Sequence, residues 1–118
     1  MLEVTFYRDA LGRLSGFRAR GHADFEQHGK DIVCAAASAV LQAAHLGLAH
    51  YAQSRVAARR EPGLLELSWE AGQPDFESVD AIAATAELAI EQIVRRYPKH
   101  VRLKRVTASS DRRRTDDV

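Results

Sequence analysis

Cysteine is nearly absent from this sequence: Cys34 is the single one in 118 residues. That excludes an internal disulfide and any zinc site built on a CxxC pair. Proline is scarce, with three residues, and glycine occurs seven times. None of those glycines falls in a phosphate-binding loop, and no Pro/Gly-rich linker divides the chain. An excess of one charge sign is also missing, since 17 Lys and Arg face 16 Asp and Glu for a formal net charge of +1. That balance gives no electrostatic case for wrapping a nucleic acid. No HExxH or similar spacing marks a metal site, so no metal and no cofactor are expected. The opening MLEVTFYRD is too short and too interrupted by charge for a signal peptide or a membrane span. The expectation is a cytoplasmic protein, where a free thiol stays reduced, with no membrane partner.

What is present suffices for one core, with 46% of the residues hydrophobic. Leu2, Val4 and Phe6 alternate with Glu3, Thr5 and Tyr7, which is a strand period. Asp9 to Gly12 reads as a hairpin turn, and Leu14 to Arg20 as the second strand, ending at Gly21. His22 to Lys30 has no clear period and reads as a loop. A helix then opens with Asp31 as its N-cap, placing Cys34 at N3. Ile32, Ala36, Ala39, Ala43, Leu46 and Tyr51 fall at helical spacings and read as its apolar stripe. The abundance of alanine predicts another surface packed closely against that helix. Val56 to Arg59 and Leu64 to Trp69 read as a second hairpin, turned at Glu61-Pro62-Gly63. A long helix follows from Phe76 to Tyr97, with a stripe from Val79 through Ile90 to Tyr97, stopped by Pro98. Val101 to Val106 is the last strand. The order ββαββαβ predicts an α+β two-layer sandwich whose sheet is antiparallel or mixed, with both helices on one face. Residues 1–108 form the domain and 109–118 a polar tail.

Cys34 admits two readings. A lone cysteine at the start of an apolar helix is usually a small buried hydrophobe. The same position favours thiolate, because the positive end of the helix dipole and its unpaired amides lie there. Those amides can also hold an oxyanion. His22 follows a strand end, a rigid place from which to present an imidazole to a thiol. Asp31 either orients that imidazole or caps the helix; a cap needs no further explanation, and a carboxylate beside the thiol would oppose thiolate. Ser38 lies one turn after Cys34 on the same face. His28 sits in the loop, His45 lies about 16 Å along the helix, and His50 and His100 read as surface residues.

Gly21-His22-Ala23, Gly29 and Asp31-Ile32-Val33-Cys34-Ala35-Ala36-Ala37-Ser38 together resemble the signature of the ribosomal-processing cysteine proteases, the Prp family. The resemblance spans nearly the whole chain. It implies a small two-layer α/β domain that forms homodimers and removes an N-terminal extension from bacterial large-subunit ribosomal protein twenty-seven, cutting after two aromatic residues. It assigns Cys34 as nucleophile and His22 as base, with Asp31 and Ser38 as the motif's aspartate and serine. It also implies a loop between histidine and cysteine that settles on substrate. Gly21 and Gly29 flank that loop and can act as its hinges.

Two rival readings come from other classes. A non-enzymatic ribosome-associated module that binds RNA or protein would use the basic run RYPKHVRLKRV and Arg112-Arg113-Arg114, although a solvated strand face explains the same charges. A thiol redox or acyl-transfer protein would need an intermolecular partner, because there is no resolving cysteine. A partner copy, in the dimer reading, would cover the sheet face that the helices leave open.

Overall fold

The computed structural model describes residues 1–21, 31–52 and 56–108. His22, Gly29, the remainder of the 22–30 loop and the 109–118 tail lie outside the described residues. In chain order the elements are β1 (Leu2–Arg8), β2 (Leu14–Gly21), α1 (Ile32–Gly47) with a π-helical turn continuing it (Leu48–Ala52), β3 (Val56–Glu61), β4 (Leu64–Trp69), α2 (Phe76–Arg96) and β5 (Val101–Thr107). The five strands form one sheet ordered β3-β4-β2-β1-β5. Its pairs are antiparallel except β1–β5, which is parallel, so the sheet is mixed.

The apolar positions read from the alternation of β1, β2 and β4 are buried, although Thr5 on the opposite face is buried as well. Leu2, Val4, Phe6, Phe17, Ala19, Leu65, Leu67 and Trp69 are all buried, on the face that carries both helices. Phe6 and Phe17 lie opposite each other in the β1–β2 register with ring centroids 5.4 Å apart, and Trp69 meets Phe17 edge-on at 6.4 Å. Trp69 Nε1 donates to the Leu14 carbonyl at 2.7 Å, and the Leu14 amide donates to Asp80 Oδ1 at 2.8 Å. Those two bonds tie β4, β2 and α2 together. At the α1–α2 crossing, a Cβ on Gly47 would lie 3.3 Å from Ile82 Cγ2. The close approach expected from the alanine-rich helix is therefore made by α2.

The apolar stripe read for α1 is the wrong face. Ile32, Ala36, Ala39, Ala43, Leu46 and Tyr51 are all exposed, while Val33, Ala37, Leu41, Ala44, Leu48 and Ala52 make the core contact. Both rows have helical spacing, so periodicity alone cannot choose between them. The segment Ile32–Ala52 is apolar and long enough to cross a membrane by length and composition, and only 28% of it is buried. Packing against the sheet and α2 selects the inner row and leaves an apolar outer face.

The open sheet face differs from the expectation in a complementary way. Glu3, Arg18, Arg20, Glu66, Arg102 and Lys104 lie on it, with Glu3 placed 4.0 Å from Arg102 and 3.9 Å from Lys104, and Glu66 3.7 Å from Arg18. A charged face of this kind is comfortable in water. The uncovered apolar surface belongs to the helical layer.

Candidate active site

Asp31 stops the backbone from entering the helix one residue early. Its φ and ψ are −75° and 97°, and its side chain accepts from the Cys34 amide at 2.9 Å. This is an N-cap, with the carboxylate satisfying the N3 amide. The next amide, Ala35, already belongs to the ladder and donates to the Asp31 carbonyl at 3.0 Å. The Cys34 amide is therefore engaged. Among the described residues, Ile32 and Val33 supply the first-turn amides that neither cap nor ladder uses.

Cys34 itself is a free, partly buried thiol packed at the edge of the core. It opens into a cleft of about 280 Å³ between α1 and the β3–β4 hairpin. Leu2, Ala19, Ala37, Leu41, Leu64 and Leu65 give that cleft an apolar lining. Ser38 lines it one helical turn beyond Cys34, and Gln42 one turn further. Arg60 and Glu61 stand on the β3 side. An apolar trough with a few polar groups at its border suits an extended peptide with bulky side chains.

Gly21 closes the cleft at the end of β2. Its φ is +95°, and a Cβ there would lie 2.5 Å from the Met1 carbonyl oxygen. Only glycine fits that position without strain. The Gly21 amide donates to the Gly63 carbonyl at 2.9 Å, which anchors the strand end to the β3–β4 turn. His22 is the next residue in sequence.

The structure thus brings Asp31, Cys34, Ser38 and Gly21 to one place. The three histidines among the described residues stand elsewhere: His45 is in the last turn of α1, His50 stacks edge-on against exposed Tyr51 with centroids 4.6 Å apart, and the His100 amide donates to the Tyr97 carbonyl between α2 and β5. The basic run of β5 divides between the two sheet faces, with Arg105 turned inward to Glu87 at 3.1 Å. Among the described residues, no group of three or more His, Cys, Asp or Glu is placed to hold a metal ion. Sequence reasoning missed Gln42 and the hairpin wall. Gln42 was within reach, since it stands four residues after Ser38. The wall was not, because it is assembled from a distant hairpin.

The family model described as cysteine protease Prp matches residues 1–102. No curated protein matches the chain. Among solved structures, the ribosomal processing protease Prp of S. aureus, bound to a covalently linked product peptide, is similar with a TM-score of 0.82 and 25% identity, over 89% of this chain and 99% of that one. SMU.848 from Streptococcus mutans is similar with a TM-score of 0.76 and 26% identity, over 91% of this chain and 95% of that one. The family match runs through the capped helix, the thiol and both walls of the cleft, and on it this chain belongs to the Prp family of cysteine proteases.

Proposed function

We propose that this cysteine protease removes the N-terminal extension of bacterial large-subunit ribosomal protein twenty-seven in the cytoplasm, cutting after a pair of aromatic residues. The observation that carries the reading is the apolar cleft ending at the Cys34 thiol, which offers bulky side chains a seat beside the nucleophile. The S. aureus Prp was solved with a substrate peptide and with a covalently linked product peptide.

In the mechanism we infer, His22 takes the Cys34 proton and the thiolate attacks the scissile carbonyl. The carbonyl oxygen takes the charge, and the Ile32 and Val33 amides are the first-turn donors left to hold it. Collapse of the tetrahedral species breaks the C–N bond, and His22 returns its proton to the leaving amine. Water, deprotonated by His22, then attacks the thioester, releasing the carboxylate product and the Cys34 thiol. Asp31 contributes by capping the helix that carries the thiol. Neither metal nor cofactor is needed for these steps.

We also propose that the protein works as a homodimer, with the exposed apolar row of α1 as its interface. The alternative of a non-enzymatic RNA- or protein-binding module has less support from the described part of its basic run, while Arg112-Arg113-Arg114 lies outside the described residues. Arg102, Lys104 and Arg105 of the basic run all have carboxylate partners within the domain, and no direct nucleic-acid binding is expected.

The test is intact-mass spectrometry of the ribosomal precursor incubated with wild-type protein or with Cys34→Ala. Loss of a defined N-terminal piece in the wild-type sample alone is the expected result. Cleavage at equal rates by both proteins would overturn the assignment of Cys34.

A further inference from the structure

Cys34, Ser38 and Gln42 are spaced four residues apart along α1 and all line the same cleft. Eight residues of helix rise about 12 Å. An extended peptide covers that distance in roughly three to four residues at about 3.3 Å each. A chain whose scissile bond lies at Cys34 and which follows the cleft therefore passes Gln42 a few residues away from the bond.

Gln42 is held for that encounter. Its Nε2 donates to Ser38 Oγ at 2.8 Å, which ties the exposed amide to the residue one turn back on the same wall. That bond uses one of the two Nε2 hydrogens. The other hydrogen and the Oε1 acceptor stay available, and an amide with one donor and one acceptor matches the peptide backbone, which carries the same pair in each residue. Ser38 also restricts the rotamers of a long side chain before substrate arrives, which lowers the ordering cost of binding. Arg60 and Glu61 stand across the cleft and keep its border polar above the leucines.

We infer that Gln42 is a remote substrate-binding residue of this protease, gripping the peptide backbone about three to four residues from the scissile bond. This rests on the proposed reading of the cleft as the peptide channel. Side chains at the scissile bond would select the sequence, whereas Gln42 would require only that the substrate be long enough. The enzyme then favours a tail over a short peptide, whatever residues the far positions hold.

The experiment uses synthetic peptides containing the extension's aromatic cleavage site, shortened residue by residue from either end, with wild-type protein, Gln42→Ala and Ser38→Ala. Gln42 is an exposed helix position, so alanine there keeps the fold. On the longest peptide, Gln42→Ala is expected to raise KM about three- to tenfold, the range of one neutral hydrogen bond, with kcat retained. The deficit should vanish once one end is cut to within two residues of the scissile bond. Ser38→Ala should reproduce part of the KM effect, because it frees the amide. Equal KM values for wild type and Gln42→Ala on the longest peptide would overturn the inference and leave the protease reading intact. A Gln42→Ala deficit that persists on the shortest peptides would overturn it too. Wild-type protein that leaves every peptide uncut would overturn the substrate reading and this inference with it.

Discussion

Arg8 on β1 grips Glu87 on α2 through two parallel hydrogen bonds of 2.7 Å each. Glu87 is 4% exposed, and Arg105 from β5 adds a third contact at 3.1 Å. One carboxylate thus joins both strands of the parallel pair, β1 and the edge strand β5, to the helix above them. The forked geometry is the strong form of such a pair.

Replacing Glu87 with glutamine should cost about 2 kcal/mol at neutral pH, because it leaves two guanidinium groups facing a neutral amide. Arg8's hydrogen bonds hold the Glu87 carboxyl below the ordinary carboxylate range, with charge attraction to Arg8 and Arg105 adding to the effect and burial opposing it. The folded pKa is therefore below the unfolded one. The contribution is complete above the unfolded value, near 4.3, and is lost as pH falls through the lower folded value. Urea melts at neutral pH and in increasing acid should show the gap between wild type and Glu87→Gln narrowing toward low pH. A gap independent of pH would assign the loss to packing.

Asp31→Ala should lower stability by about 1 kcal/mol through loss of the cap on Cys34's amide, and Asp31→Asn should restore most of it. Cleavage rates measured beside the melts separate capping from chemistry. With capping as the sole role, the asparagine variant cuts at the wild-type rate. A variant that is stable but slow would give the carboxylate a second task.

Leu46 is 72% exposed on the outer row of α1. A charge there should cost the monomer little, since surface substitutions usually stay within about 0.5 kcal/mol. It should split a dimer built on that row. Light scattering behind size exclusion is expected to give twice the chain mass for wild type and the chain mass for Leu46→Glu. Dimers in both samples would move the interface to another surface.

Much of this fold was legible because a half-buried strand has only one way to divide its residues. Leu2, Val4 and Phe6 could face nowhere but the core, and Val79 through Tyr97 repeat with a polar opposite side. Helix α1 was different. Val33-Ala37-Leu41 and Ile32-Ala36-Ala39 are both apolar rows, and only three-dimensional packing decides between them. Glu87 was illegible for the opposite reason. It sits beside Ala86 within the buried side of α2, where its charge argues for solvent until Arg8 arrives from the first strand and Arg105 from the strand that follows the helix. In the site, Asp31 and Cys34 could be placed from local rules of helix starts. The cleft could not, since its second wall comes from the β3–β4 hairpin.

The parallel pairing of β1 with β5 also has a consequence for biosynthesis. Leu2 faces Gly21 on one side and Val101 on the other. The β1–β2 hairpin can close as soon as it leaves the ribosome, but the other flank of β1 must wait until almost the whole chain has emerged. During that interval a seven-residue strand carries a row of open backbone donors and acceptors next to Val4 and Phe6. A chain cut short before Val101 would keep that edge permanently, and self-association rather than loss of the thiol would be its first fault.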